Sequence, residues 1–182
     1  MNDAVPDWLR QARDHWTNRG DARPAFAIEP GPGQESVWDY PRPPAVRPDQ
    51  RPIAVDGAGG PVVRAAASIR ICETSHPPSF YVAPESIIDG ALVVVPGSSH
   101  CEWKGLAEYV ALAGTSEPVG WRYPKPYANF AEYAGWVSFY PDRVECRVDG
   151  QLARPQAGGF YGGWITDDVV GPFKGDPGTS GW

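Results

Sequence analysis

The sequence predicts a mainly β protein: a compact single domain of short strands, sheet-like or barrel-like, with one N-terminal helix and ordered glycine- and proline-rich arms. Three observations carry that prediction. Glycine and proline each occur 21 times in 182 residues, a density of breakers that excludes helical bundles and coiled coils. Apolar residues recur in short runs bounded by turn residues, without a sustained helical period. Hydrophobic residues make up 42% and charged residues 21%, enough apolar material for one core and too much for a disordered chain.

The elements follow in order. Residues 1–50 read as an arm, 51–155 as the β core and 156–182 as a tail. In the arm, Asp7 is placed to cap a helix carrying Trp8, Leu9, Ala12 and Trp16, with Gly20 as its stop. From Ala22 to Gln50 there is no periodicity. Pro41-Arg42-Pro43-Pro44 favours polyproline II. It suits either an aromatic groove on a partner or, as the preferred reading, its own domain, anchored by Trp38 and Tyr40.

In the core, Ile53–Val55 and Val62–Ala66 flank Gly57, Gly59 and Gly60 and read as a hairpin. Ile69–Thr74 is a strand stopped by His76-Pro77-Pro78, and Phe80–Val82 is extended again. Pro84–Ile88 is a single helical turn and Leu92–Val95 a buried strand. Residues 106–113 fit a helix by composition, but their place between a turn at Lys104-Gly105 and strand-like Val119–Tyr123 favours a strand. Val144, Cys146 and Val148 alternate with charged residues before Asp149-Gly150, a strong hairpin signal. The tail carries Phe160, Tyr161, Trp164, Phe173 and Trp182. These rings are expected to pack on the domain or on a second copy of the chain, which allows a homodimer.

Charge and cysteine content narrow the function classes. The net charge is −6, and no basic block occurs, which argues against nucleic acid as a partner. The N-terminus shows no apolar leader, and the longest apolar run, Ala91–Val95, is far too short to span a membrane. Cys72, Cys101 and Cys146 read as free thiols of a reducing compartment, and the expected location is cytoplasmic. No cofactor fingerprint of the G-x-G-x-x-G, P-loop or G-x-S-x-G kind is present, so no cofactor is expected. Cys72, His76, His100 and Cys101 lack the paired spacing of zinc ligands, so no metal is expected either.

Seven blocks taken together carry a family resemblance. They are Glu35–Pro44, Glu73–Tyr81, Cys101-Glu-Trp-Lys-Gly105, Trp121-Arg-Tyr-Pro124, Phe139-Tyr-Pro141, Gly158–Trp164 and Gly171–Gly175. In this order they resemble the family called "domain of unknown function 427", in a long form common in actinobacteria, from about residue 29 to the end of the chain. The resemblance implies a compact, mainly β domain with a pocket near the Cys-Glu-Trp-Lys-Gly block. The family also carries a nucleotidyltransferase label. Enzymes of that kind hold two metals with an Asp-x-Asp pair, and the chain contains none.

Within those blocks the residues suggest a site. On a strand from Ile69, Glu73 shares a face with Ile69 and Ile71. A carboxylate there must be paired or neutral if buried; if the strand ends at Cys72, it reaches solvent. Its sensible partners are Lys104 and Arg122. Lys104, at a turn beside Trp103, is placed to hold a carboxylate or phosphate, or to act as an amine nucleophile if burial lowers its pKa. Cys101 shares a pocket with Lys104 only if the turn begins before Lys104; a small buried thiol is the preferred reading, and His100 is a poor dyad partner. Tyr81, Trp121 and Tyr123 are candidate walls. The leading expectation is therefore a pocket for a small anionic metabolite, with binding or turnover open, built from Glu73, Tyr81, Cys101, Trp103, Lys104, Trp121 and Arg122. The alternatives are a nucleotidyltransferase-like enzyme and an interaction protein using the arm and tail.

Overall fold

Short apolar runs between turn residues build fifteen strands among the described residues, 6–182, in this computed structural model. The first five residues of the arm read over 1–50 lie outside the described residues. Helix α1 (Asp7–Asp14) starts after Pro6, which occupies the cap position with no side-chain bond to the helix. Asp7 is thus the first helical residue, where its charge still suits the positive end of the helix. The helix ends at His15, ahead of Gly20.

The first half of the core is antiparallel. β1 (Glu35–Ser36) and β2 (Ala45–Asp49) flank the proline-rich stretch. β3 (Ile53–Gly57) and β4 (Gly60–Ala65) form the expected hairpin, and β5 (Ser68–Cys72) pairs with both β2 and β6 (Ser79–Tyr81). β7 (Leu92–Cys101) and β8 (Gly105–Leu112) make the longest ladder, so residues 106–113 are strand. β9 (Pro118–Arg122) and β10 (Val137–Phe139) complete that sheet, in the order β10-β9-β8-β7. β7 is not the buried strand expected at Leu92–Val95. It lies at the sheet edge, runs on to Cys101, and leaves Val93 and Val94 40% and 53% exposed.

β11 (Glu145–Val148) and β12 (Gln151–Leu152) are joined by Asp149-Gly150, both at positive φ (48° and 78°), the backbone a two-residue hairpin turn needs. β13 (Arg154–Pro155), β14 (Trp164–Ile165) and β15 (Val169–Val170) end the series, β13 pairing with β14 and β15 with β1. The second four-stranded sheet has the order β12-β11-β3-β4. A bridge between Val82 and Val137 joins the three-stranded sheet to β10. Among the described residues no closed barrel forms: β7 and β12 end their sheets, and β4 is met beyond β3 only by an isolated bridge between Val63 and Ile87.

Three apolar clusters divide the interior. The largest packs Ile53, Val55, Val63, Phe139, Cys146 and Trp164 between the two four-stranded sheets. The second is aromatic, with Tyr81, Trp121, Tyr123, Phe130 and Tyr140. The third closes the arm and tail on the domain: Trp38 and Tyr40 are buried, and Trp182 stacks on Phe26 and meets Trp38 edge-on. The proline-rich stretch therefore uses its aromatic anchors internally. Trp164 of the tail is fully buried and donates from Nε1 to the Phe139 carbonyl at 2.9 Å. Trp164→Ala is expected to cost about 3–5 kcal/mol through the cavity it opens and the acceptor it orphans. Urea denaturation measures this loss; a cost below about 1 kcal/mol would mean the tail is not part of the core.

Candidate functional site

β5 ends at Cys72, and the chain then turns through Glu73-Thr74-Ser75-His76. Ser75 sits at φ 69° and is fully buried, a left-handed conformation that costs a non-glycine residue energy and must be held from outside. It is held from both ends of the chain. The Ser75 N–H donates to the Val37 carbonyl at 3.1 Å, and the Lys174 N–H donates to the Ser75 carbonyl at 2.8 Å. The turn brings Glu73 and His76 to one cavity of about 240 Å³.

The opposite wall comes from the loop between β7 and β8. Cys101 pairs with Gly105 as the last rung, so Glu102, Trp103 and Lys104 form the turn, and Cys101 and Lys104 both face the cavity. The Lys104 carbonyl accepts from the Tyr127 N–H at 3.1 Å, which pins the turn. Trp121 and Tyr123, two residues apart on β9 and its continuation, supply the aromatic side. Trp121 Nε1 donates to the Tyr81 hydroxyl at 2.7 Å. Trp16, Tyr161, Gly162 and Lys174 roof the space. A Cβ on Gly162 would lie 2.1 Å from the Trp121 ring, so only glycine lets the tail close this tightly.

The charges are arranged in two groups. Arg42, with its side chain fully buried, donates from Nε to Glu73 at 3.0 Å. Burial opposes the Glu73 charge, but His76 when it is protonated, together with Lys104 and Arg42, outweighs it and holds the carboxyl below its usual range. Burial likewise opposes the Lys104 ammonium, yet Cys101, Tyr81 and Glu73 keep it above its ordinary value. The amine is charged at neutral pH and is not the activated nucleophile that burial alone would make. At the other end, Lys174 places Nζ 3.7 Å from the Trp16 ring centroid and 3.0 Å from the Trp182 main-chain oxygen. Burial and Arg42 push that ammonium down to about 8. Burial pushes the Tyr81 hydroxyl up to about 12.

His76 is lowered to about 4, chiefly by burial, with Glu73 opposing, so the ring is neutral. Its tautomer follows from Gln156. That amide accepts from the Gly163 N–H through Oε1 and donates from Nε2 to the Lys174 carbonyl. Nε2 also lies 3.0 Å from His76 Nδ1, which must accept. His76 therefore carries its proton on Nε2.

Five of the seven expected residues meet at this cavity: Glu73, Tyr81, Cys101, Lys104 and Trp121. Arg122 does not. Successive residues on a strand face opposite ways, so Arg122 turns from Trp121 and Tyr123 and pairs with Glu108 at 3.1 Å on the surface. Trp103 is buried outside the cavity, under the Arg13 guanidinium at 5.4 Å. The Glu73 partner that sequence reasoning missed is Arg42, 31 residues upstream.

A family model fits this part of the chain. The model described as "Domain of unknown function (DUF427)" matches residues 45–150. The chain belongs to the DUF427 family. No curated protein matches it. The DUF427 segment contributes Glu73, His76, Tyr81, Cys101, Lys104 and Trp121, whereas Trp16, Arg42, Gln156, Tyr161 and Lys174 lie outside it. The DUF427 core thus forms the cavity's floor and walls, and flanking segments form its roof and the buried arginine.

Arg42→Met leaves the Glu73 carboxylate buried without its partner and is expected to cost about 3–5 kcal/mol in denaturant unfolding. Stability is also expected to fall with acid. Unfolded, His76 takes a proton near pH 6.5; folded, it takes one only near 4, so protons bound between these values favour unfolding. Glu73, lowered in the fold, adds a loss in the same direction below its ordinary value of 4.5. His76→Asn should flatten the stability curve between pH 6.5 and 4, as read from melting temperature against pH; an unchanged slope contradicts the assignment.

Proposed function

We propose that the cavity binds a small anionic metabolite, with the Lys104 ammonium as the anion holder. The observation that carries this reading is the setting of Lys104, which faces a cavity walled by Tyr81, Trp121, Tyr123 and Tyr140, with its Nζ 5.8 Å from the Tyr123 ring centroid and its charge kept at neutral pH. The low dielectric among those rings strengthens a contact between that ammonium and an anion. At about 240 Å³, the space lies below the roughly 300–1,000 Å³ typical of drug-sized ligands, which favours a metabolite of few heavy atoms. Tyr81 and Trp121 shape the wall, and Glu73, braced by Arg42, orients Lys104. The His76 Nε2–H is a neutral donor for an uncharged oxygen of the ligand.

The nucleotidyltransferase label finds less support. A nucleoside triphosphate exceeds this space, and among the described residues no group of three or more His, Cys, Asp or Glu side chains is placed to hold a metal ion. A cytoplasmic location and a long actinobacterial-type family form fit the sequence and remain parts of the proposal; no described helix is long and apolar enough to cross a membrane.

Small carboxylates such as lactate and acetate are expected to raise the melting temperature of the wild type. Lys104→Ala should weaken binding by about 10- to 100-fold, the loss of a charged hydrogen bond worth about 1.5–3 kcal/mol. Arg122→Ala, on the surface, should leave the melting shift intact. An unchanged shift in Lys104→Ala would sink the assignment.

A further inference from the structure

We propose that Lys174 forms a reversible imine with a carbonyl carbon of the bound anion, which makes the ligand class small oxo acids; this rests on the anion-binding reading above. Lys174 is 1% exposed, and its Nζ lies between two rings of the cavity roof, 3.7 Å from the Trp16 centroid and 5.9 Å from that of Tyr161. A buried lysine amine at a ligand cavity is the arrangement that carbonyl chemistry needs. Among the described residues its one conventional hydrogen bond runs to the Trp182 main-chain oxygen, a contact the amine can exchange for a carbonyl carbon.

Two further features fit the same chemistry. Burial lowers this ammonium to about 8, so about one amine in ten is neutral and nucleophilic at pH 7. Lys104 is held charged instead, so of the two cavity lysines Lys174 is the one whose amine is free to attack a carbonyl carbon. The Gln156 amide that fixes the His76 tautomer also holds the Lys174 backbone carbonyl, so the His76 Nε2–H donor and the Lys174 backbone are set by one side chain.

The step balances without an oxidant. The Nζ lone pair attacks the carbonyl carbon, the C–N bond forms, and the C=O π pair moves to oxygen, which takes a proton. The carbinolamine then breaks its C–O bond. Water leaves with that oxygen and with protons from Nζ, and the nitrogen lone pair completes C=N.

Borohydride trapping tests the proposal on the intact chain. Wild-type protein is incubated with glyoxylate or pyruvate, reduced with sodium borohydride and mapped by peptide mass spectrometry. The chain has only three lysines, Lys104, Lys125 and Lys174, and exposed Lys125 serves as the internal measure of non-specific labelling. The reduced adduct is expected on Lys174 at about tenfold or more over Lys125, with protection by lactate, which has the carboxylate and no carbonyl. Lys174→Met should lose the adduct while Lys125 is labelled as in the wild type; if that variant does not fold, the wild-type map decides alone. An adduct on Lys104, or one spread equally over the three lysines, overturns the imine. So does a missing adduct while lactate still stabilises the protein, and the anion reading then survives. No stabilisation by any of the three acids and no adduct overturns both.

Discussion

The buried ion pair between Arg42 and Glu73 is the constraint on which the site depends. Arg42 has its side chain fully out of water, and its guanidinium donates to the Glu73 carboxylate, to the carbonyls of Asn18 and Thr74 and to the Trp182 main-chain oxygen. The Trp16 ring covers it at 4.5 Å. A guanidinium with five donors in a planar fork can satisfy several acceptors at once. Here those acceptors belong to the N-terminal segment, the strained turn and the tail. Desolvating an arginine is costly, and it is tolerated because nearly every donor finds an oxygen. The cost is thereby converted into a fixed meeting point for three distant segments.

That meeting point explains how one cavity treats its two lysines differently. Lys174 is buried and Lys104 half-buried, and burial disfavours the charge of each. Lys104 lies among Cys101, Tyr81 and Glu73, which favour its charge. Lys174 has a π face, the Trp182 main-chain oxygen and a cationic neighbour, Arg42, and burial prevails. The DUF427 core supplies the first lysine and the flanking tail the second. A cavity walled by one segment and roofed by another allows the roof to alter chemistry without disturbing the sheets.

Part of the site was legible because its residue types were costly where they stood. A glutamate ending an apolar row and a lysine beside an indole at a turn both demand partners. Cys101 and Trp121 followed from neighbouring blocks, and Tyr81 from the break after Pro77-Pro78. Arg122 was misread by linking blocks without applying the two-residue period of a strand, which sends it away from Trp121 and Tyr123. Trp103 was misread because adjacency to Lys104 does not give a shared face. His76 offered a faint signal, a histidine three residues from Glu73 in the same turn. Gln156, Lys174 and Trp16 offered none strong enough, because nothing local marks a side chain whose partners lie on segments distant in sequence.

The sequence by itself determined the mainly β class, the hairpin at Asp149-Gly150, the β3–β4 pair and the burial of the aromatic anchors. Each of these rests on near neighbours along the chain: turn residues with special backbone angles, period-two alternation, and rings too large to leave in water. Tertiary structure alone decided that β7 is an exposed edge, that the sheets do not close into a barrel, and that Arg42 is the counterion of Glu73. It also decided that the tail, through Lys174 and Gln156, completes the cavity. These outcomes turn on which distant segments pack together, and packing depends on the fit of surfaces that no local pattern records.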